Sequence, residues 1–431
     1  MTRKFATTAL ALLLFVSCRT ATQSTTSEPA LLYDVQPAID AARALSERPD
    51  IERAFQFVES DRETIVADWT TINEIPAPSG HEAARALHIE ALLRGSGLLV
   101  ERDGAGNLIA TRKGAGGGST VVFDAHLDTV FALDTDVTTR IEGNRIHGPG
   151  VGDNTRNVVA LLAMIRAMNA AAVETAGDIV FLFSVEEETT FRGIDHFLAE
   201  RGDSIDRFVA LDGGFGGFTY GGIGIHWDRY HIEGRGGHTL SGSPPWSATL
   251  PLARAITRIY ELPLGDSARL NVGMLGAANV FNAKARDAWM SVDLRSVDGD
   301  ELLRLDREVE AIVAGEASRL GMRMRRESIA KRTPAVLDGH RTSPMIVTAE
   351  GVWRAFGFNP SISNTASNHA AVVLRAGIPA ISSGSGPCRN AHALDESCEI
   401  EPLLTGIRRN IVLAVALASD DPARVATDVA R

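Results

Sequence analysis

Histidine and acidic residues follow several apolar segments of this 431-residue chain. His126 and Asp128 end the β-branched run VVFDAHLDTV at 121–130. Comparable positions are occupied by Asp153, Glu187, Glu188, Asp212 and His392. Imidazole and carboxylate groups are the usual ligands of zinc and similar divalent ions. Two dications close together repel each other, so a pair of them would need a shared carboxylate. The residues therefore predict a divalent-metal site, with two ions if one carboxylate bridges them.

Each of these residues also has a simpler interpretation. Acidic side chains at strand ends are usually solvated, Asp153 could cap the helix that follows it, and Asp212 could belong to a turn before Gly-Gly. The joint occurrence of the clusters favours the metal site over these alternatives. Alternation along a strand places His126 and Asp128 on one face, so one can ligate a metal while the other orients it.

The elements that must position these residues follow from hydrophobic periodicity. Helical spacing over 35–95 gives way, from about residue 97, to strands that alternate with helices. This predicts an α/β fold with a mixed, largely parallel twisted sheet flanked by helices. The carboxyl ends of such strands are where ligands bind in open α/β sheets, so we expect the candidate residues to converge there.

The chain is too long for one ordinary core, and its pattern changes near residue 226. Residues 230–330 read strand-helix-strand-strand-helix-strand, which is typical of a compact α+β unit. The segment GIPAISSG (377–384) then returns to the α/β pattern as a buried strand. We predict an inserted α+β domain over 227–333 that divides a catalytic domain into 31–226 and 334–431.

The N-terminus has the pattern of an export signal. Arg3 and Lys4 precede a short apolar run at 9–16, too short to span a bilayer as a mature helix. The ending Leu-Phe-Val-Ser-Cys resembles the lipobox of bacterial lipoproteins, which implies a signal over 1–18, lipidation of Cys18 and a tether over 19–30. The protein would then be anchored in the bacterial cell envelope, facing the periplasm. A cleaved signal with an incidental cysteine is the alternative.

Export bears on the state of the remaining cysteines, and net charge bears on the class of partner. An oxidising compartment favours a disulfide between Cys388 and Cys398, with two buried free thiols as the alternative. The formal net charge is −11, without a long basic run, which argues against a nucleic-acid partner.

The order of the motifs resembles that of the M20 metallopeptidases, and most closely of their tripeptidase-like and aminoacylase-like members. The resemblance spans roughly residues 70–415 and rests on HLD (126–128), GVGDN (150–154), EEETTFRG (186–193), LDGG (211–214), GRGGH (234–238), VDLRS (292–296) and NAHALDE (390–396). It implies two divalent metal ions, with zinc as the favoured metal and cobalt or manganese as alternatives. It also implies a homodimer through the inserted lid and dimerisation domain.

The resemblance assigns a role to each candidate residue. The implied metal ligands are His126 and Asp212 for the first ion, Glu188 and His392 for the second, and Asp153 as the bridge. Asp128 would orient His126, and Glu187 would be the general base. The pair Glu186–Glu187 is the alternative. The family has a fixed interval from the second glutamate of the pair to a later glycine, and Gly193 fits that interval better when the pair is Glu187 and Glu188.

The resemblance also implies groups that bind substrate. His238 and Asn282 would polarise the substrate carbonyl, often from a partner subunit, and Arg295 would hold a carboxylate or form an ordinary surface ion pair. The chain departs from the family pattern at residues 367–371, at Asn157 and at Gly276-Ala277-Ala278. The first departure places His369 in the expected substrate pocket, as an added ligand or a hydrogen-bond donor.

The sequence therefore predicts an exported dinuclear zinc hydrolase that cleaves the amide bond of small peptides, as a di- or tripeptide exopeptidase. An N-acyl amino acid amidohydrolase or a carboxypeptidase of the same family is the alternative enzyme. A catalytically silent metal-binding lipoprotein is the alternative of another class.

Overall fold

The computed structural model describes residues 33–241, 244–277 and 280–419. The predicted signal with Cys18, the tether over 19–30 and Ala278 lie outside the described residues. No helix in the described ranges is long and apolar enough to cross a membrane.

The secondary structure alternates helices and strands along most of the chain. The helices are α1 (Gln36–Ser46), α2 (Pro49–Ser60), α3 (Arg62–Asn73), α4 (Ala83–Leu93), α5 (Arg156–Ala170), α6 (Arg192–Arg201), α7 (Thr249–Tyr260), α8 (Gly299–Arg319), α9 (Pro344–Ala355), α10 (His369–Arg375) and α11 (Ile400–Leu417). The strands are β1 (Leu99–Arg102), β2 (Leu108–Arg112), β3 (Val121–His126), β4 (Arg140–Glu142), β5 (Arg145–His147), β6 (Ile179–Ser184), β7 (Arg207–Ala210), β8 (Gly217–Thr219), β9 (Gly224–Glu233), β10 (Gly237–His238), β11 (Arg269–Asn271), β12 (Leu275–Gly276), β13 (Ala283–Lys284), β14 (Asp287–Ser296), β15 (Arg323–Arg332), β16 (Ser361–Ser363), β17 (Ala380–Ser382), β18 (Cys388–Arg389) and β19 (Ser397–Glu399).

The main sheet has eight strands in the order β1-β2-β6-β3-β7-β17-β8-β16. Its central strands β6, β3, β7 and β17 are parallel, while β1, β2 and the β17–β8 pair are antiparallel. Every residue of β3 is buried, as expected for a strand with both faces covered. Phe123 packs into one core cluster and Val122 into another, because successive side chains point to opposite faces. The predicted mixed α/β fold is confirmed.

A second sheet, β11-β14-β9-β15 with β12 paired to β14, runs from Gly224 to Arg332. Residues of β14 alternate between buried and less buried positions, as in a sheet with one solvated face. Its apolar face packs with α7 and α8 into a separate hydrophobic cluster that includes Tyr230 and Val309. The domain boundary at 227–333 stays a prediction, although this sheet and its cluster occupy nearly the same range.

A small third sheet, β18-β19-β5-β4, has no counterpart in the sequence predictions. Its strands are two or three residues long, too short to show a periodic pattern. Its strands β4 and β5 precede Asp153 in the chain, and β18 and β19 flank His392.

Candidate metal centre and active site

The ends of three neighbouring parallel strands bring the candidate residues together. β3 ends at His126 and pairs with β6, which ends at Ser184 opposite it. On its other side β3 pairs with β7, which ends at Ala210 opposite Asp124. Asp128, the glutamates and Asp212 therefore follow strands that stop at one edge of the sheet, as the sequence predicts.

Two further residues reach this edge from irregular segments. Asp153 lies in the kinked turn Val151–Thr155 that leads into α5, and its own backbone angles (φ −110°, ψ 95°) are not helical. His392 lies in the connection between β18 and β19, with a left-handed backbone φ of 66°. Only long-range folding brings these two segments to the strand ends.

Asp153 stands between the two histidines. Its Oδ1 lies 3.2 Å from Nε2 of His126, and its Oδ2 lies 3.2 Å from Nε2 of His392. Nε2 of His392 is also 3.1 Å from a carboxylate oxygen of Glu188. The two oxygens of one carboxylate thus face two different imidazoles, which is the arrangement a bridging ligand requires.

Three overlapping sets of ligand atoms at this centre could hold a metal ion. Within each set the atoms lie within 4.8 Å of one another: His126, Asp153 and Asp212; Asp153, Glu188 and His392; His126, Glu187 and Glu188. The first two sets share only Asp153. Nitrogen and oxygen donors of this kind fit zinc and similar divalent ions, and two cations would offset the repulsion among the clustered carboxylates.

Asp128 organises the centre beyond the role predicted for it. Its carboxylate lies 3.3 Å from Nδ1 of His126 and accepts a 2.6 Å hydrogen bond from the Ser79 hydroxyl. It also accepts the backbone N–H groups of Glu187 and Glu188, each at 3.0 Å. One carboxylate therefore orients a histidine and holds the loop of the acidic pair. The sequence gives no signal for Ser79, because it belongs to a loop distant from every motif.

The acidic triplet is divided by a turn. β6 ends at Ser184, and Glu186 adopts a left-handed φ of 56°. Glu186 accepts a hydrogen bond from Arg192 at 2.7 Å and another from Thr190 at 2.7 Å. Glu187 is buried, with a carboxylate oxygen 4.0 Å from Nε2 of His126. The turn breaks strand alternation, so Glu187 and Glu188 face the metal ligands together.

Burial and neighbouring charges change the pKa values of these groups. Burial, aided by the nearby acids Asp212 and Glu188, raises the pKa of Glu187 well above its usual range. Burial also raises the pKa of Glu188 to about 7. The hydrogen bond to Asp153 raises the pKa of His392 to about 9. In the absence of cations these groups compete for protons, and a bound metal would displace those protons.

The departure at residues 367–371 lies against the same centre. Asn368 donates a 2.6 Å hydrogen bond to the Ser382 hydroxyl and also hydrogen bonds to Asp212. His369 is buried, and its Nδ1 lies 2.8 Å from Asp124. Its Nε2 has no hydrogen-bond partner among the described residues. His369 belongs to none of the candidate ligand groups in the described chain, and Asn368 is the residue that contacts a candidate ligand.

The candidate substrate residues lie in the second sheet and in or next to the separate two-stranded sheet of β10 and β13. His238, on β10, pairs with Ala283 of β13, and its Nδ1 accepts the backbone N–H of Leu240 at 3.1 Å. Asn282 precedes β13, and Arg295 pairs with Asp293 at 3.0 Å. Within the described ranges no hydrogen bond or ion pair joins these residues to the candidate metal ligands. The structure thus brings together the metal-centre residues, and places the predicted substrate residues apart from them.

Comparison with known proteins identifies the family. The model of peptidase family M20/M25/M40 matches residues 122–414. Carboxypeptidase G2 of Pseudomonas sp. (strain RS-16) is 25% identical over 276 residues, which cover 60% of this chain and 66% of that protein. A peptidase M20 domain-containing protein of Schizosaccharomyces pombe is 26% identical over 259 residues, covering 56% and 62%. The matches span slightly less than two thirds of either relative.

Solved structures show the same fold. A tripeptidase from Staphylococcus aureus superposes with a TM-score of 0.75 at 19% identity, over 83% of this chain and 98% of that one. A dinuclear metal-binding M20 peptidase of Bacillus subtilis superposes with a TM-score of 0.63 at 14% identity, over 84% and 99%. The family match covers most of the chain and every candidate metal ligand, and the chain belongs to peptidase family M20/M25/M40.

Proposed function

We propose that this protein is a dinuclear metal-dependent hydrolase that cleaves the amide bond of small peptides. The observation that carries the proposal is the position of Asp153, whose two oxygens face His126 and His392. His126, Asp153 and Asp212 would hold one ion, and Asp153, Glu188 and His392 the other. Zinc is the proposed metal, because the ligands are imidazoles and carboxylates.

Divalent ions at such a centre lower the pKa of water and polarise a substrate carbonyl. Glu187 would take the proton of the attacking water and return it to the leaving nitrogen. Its raised pKa suits this exchange, since burial makes it a stronger proton acceptor than an exposed glutamate. Asp128 would hold His126 and the Glu187 backbone in place during the reaction.

His238 is proposed to donate a hydrogen bond to the substrate carbonyl oxygen, together with Asn282. Because Nδ1 of His238 accepts the Leu240 N–H, the neutral ring carries its proton on Nε2, the atom free to donate. Arg295 would recognise a substrate carboxylate only after leaving Asp293. This favours an exopeptidase that acts on free-amine peptides over an enzyme that recognises a substrate carboxylate. The relative named carboxypeptidase G2 supports a carboxypeptidase or N-acyl amino acid hydrolase as the second candidate.

The decisive variant is Glu187→Gln. It should lower turnover by about 10²–10⁴-fold, the usual contribution of a general base, while binding two zinc ions as tightly as wild type. Glu186→Gln is the matched control, because Glu186 is engaged by Arg192 and Thr190, and its turnover should stay close to wild type. Equal losses in the two variants would contradict the assignment of Glu187.

Substrate class is tested with protein lacking residues 1–18, loaded with zinc, cobalt or manganese in parallel. Free-amine di- and tripeptides, N-blocked peptides and N-acyl amino acids form the panel. We expect hydrolysis of the free-amine peptides. Cleavage of blocked substrates alone would favour the second candidate. Binding of two ions with no hydrolysis across the panel would support a silent metal-binding lipoprotein.

We also propose that the protein is exported, anchored in the bacterial cell envelope through a lipidated Cys18, and dimeric through the inserted domain. The lipobox-like sequence supports the anchor. Cys18→Ala should move the protein from the membrane fraction to the soluble fraction on cell fractionation. Sedimentation of protein lacking residues 1–18 tests the dimer, and a monomer at micromolar concentration would contradict it.

A further inference from the structure

A short hairpin near the C-terminus carries one of the candidate metal ligands. β18 and β19 pair antiparallel, with Cys388 opposite Cys398, and a disulfide joins these two residues. The ten-residue separation closes a loop that contains His392. The disulfide therefore joins the two ends of the segment that presents this imidazole.

The backbone of that loop is held in unusual conformations. Asn390 and His392 have positive φ angles of 58° and 66°, a left-handed region that non-glycine residues adopt uncommonly. The side chain of His392 is 50% exposed, so core packing alone does not hold it. Two constraints act on the segment that carries this ligand: the 2.9 Å hydrogen bond from the Asn390 side chain to Asp395, and covalent closure of the loop by the disulfide.

The same hairpin also forms hydrogen bonds with the turn that carries the candidate bridging carboxylate. Glu396 is fully buried, and one of its oxygens accepts the Gly150 N–H at 2.7 Å. Its other oxygen accepts the N–H groups of Gly152 and Asp153 at 3.1 and 2.9 Å. The motif NAHALDE gives no signal for this role of Glu396, because the partners of Glu396 lie more than 240 residues away.

Close packing completes the contact between hairpin and turn. A Cβ on Gly152 would lie 2.9 Å from Sγ of Cys398 and 2.4 Å from a carboxylate oxygen of Glu396. Cys398 also pairs with Ile146 of β5, the strand that precedes this turn. The disulfide, Glu396 and the turn of Asp153 thus form one packed unit.

We propose that the disulfide-closed hairpin is a positioning device for the two-metal centre. The disulfide holds His392 against Glu188 and Asp153, and Glu396 holds the backbone of Asp153 between the two histidines. The inference rests on the proposed two-metal function. It assigns positioning roles to Cys388, Cys398 and Glu396, none of which would touch a metal ion.

The test measures zinc binding to metal-free protein by isothermal titration calorimetry. In the double variant Cys388→Ser/Cys398→Ser, we expect the ion held by His392 to bind about 10–100-fold more weakly, the usual effect of losing a group that orients a ligand. The ion held by His126 and Asp212 should keep its affinity. Val412→Ala, a buried change in α11 away from the hairpin, controls for general destabilisation and should leave both affinities unchanged.

A second variant keeps the disulfide and so remains informative if the double variant folds poorly. Glu396→Gln should weaken both ions, because Asp153 is shared between them. Glu399→Gln makes the same chemical change three residues further along, in β19, where Glu399 pairs with Arg145 at 2.8 Å. It should leave both affinities at wild-type values.

Wild-type affinities in both the double cysteine variant and Glu396→Gln would overturn the proposal. Equal weakening of the binding of both ions in Val412→Ala and in the cysteine variant would also overturn the proposal, because general destabilisation would then explain the loss of affinity. A wild-type protein that binds fewer than two ions would contradict the two-metal function itself, which is a separate and recognisable result.

Discussion

A single buried carboxylate organises most of the candidate centre. Asp128 contacts the imidazole of His126, the hydroxyl of Ser79 and the backbone of both Glu187 and Glu188. Burial disfavours its charge, but the contact with His126 and the hydrogen bonds outweigh burial and lower its pKa. It therefore stays ionised and can accept all of these contacts at once.

At this scale we predict that Asp128→Asn lowers zinc affinity by about 10–100-fold. An amide carries one acceptor oxygen, so it cannot orient His126 and also accept both backbone N–H groups. Competition with a chromogenic chelator measures the affinity. Ser79→Ala removes one hydrogen bond and leaves the carboxylate, so it should have a smaller effect. An Asp128→Asn protein with unchanged affinity would contradict the prediction.

His340 gives a prediction of pH dependence away from the metal centre. Its Nε2 lies 2.9 Å from the Ala380 carbonyl and its Nδ1 3.2 Å from the Ser343 hydroxyl, an arrangement for a neutral ring. Burial lowers its pKa in the folded state. Below pH of about 6.5 the unfolded chain binds this proton more readily than the folded one. The free energy of unfolding should therefore fall as the pH falls below that value.

Urea unfolding of the metal-free protein between pH 7.5 and pH 5 measures this effect. His340→Gln keeps a donor for the Ala380 carbonyl and removes the titrating ring. The variant should lose less stability than wild type over the same interval. Parallel stability profiles in the two proteins would show that His340 does not contribute.

At the scale of elements, α11 supports the loops that follow β7 and β17. Arg409 is buried in this helix and donates to the carbonyls of Phe215 at 3.0 Å and Gly384 at 2.8 Å. Its guanidinium lies 3.9 Å from the ring centre of Trp353. Gly406 lets the helix approach these loops, because a Cβ there would lie 1.7 Å from the Ser385 carbonyl oxygen.

We predict that Gly406→Ala destabilises the protein by about 1–3 kcal/mol, the usual result of overpacking. Gly315→Ala in α8 is the matched control, since a Cβ at Gly315 meets nothing within 4 Å. Alanine is the better helix former by about 0.5–1 kcal/mol, so this control should be stabilised. Chemical denaturation compares the two. A stabilised Gly406→Ala protein would contradict the close approach seen here.

At the scale of the whole described chain, the hydrophobic residues fall into separate clusters. One cluster, built on the second sheet with α7 and α8, includes Tyr230, Val292 and Leu305. The chain enters and leaves this region at one place. Gly222 and Ala335 exchange backbone hydrogen bonds of 2.7 and 2.8 Å.

This arrangement predicts that residues 222–335 fold on their own, because their core is internal and their ends meet. The excised segment should show cooperative thermal unfolding by circular dichroism. In the complementary protein, a short linker in place of 227–333 should leave two-zinc binding intact, since every candidate ligand lies outside the segment. An unstructured excised segment would contradict the prediction and the inserted-domain boundaries with it.

Sequence predicted the convergence of His126, Glu187, Glu188 and Asp212 because their strands show clear apolar runs. The carboxyl ends of neighbouring parallel strands share an edge, so local pattern was sufficient to place these strand ends together. It did not predict the turn at Glu186 that lets both Glu187 and Glu188 face the site. It did not predict the small third sheet, whose strands have no period, or the contacts of Ser79 and Glu396. Those contacts join segments with no local signal for each other.

The sequence by itself determined the fold class and the residue types that meet at the sheet edge. Both follow from local hydrophobic pattern and from the order of the motifs. The family resemblance implies Asp153 as the bridge, but only the tertiary structure decided which imidazole each of its oxygens faces. It also decided that Glu186 turns toward Arg192 and that Glu396 accepts hydrogen bonds from the turn of Asp153. These are matters of distance and direction between segments remote in the chain, and residue spacing does not encode them.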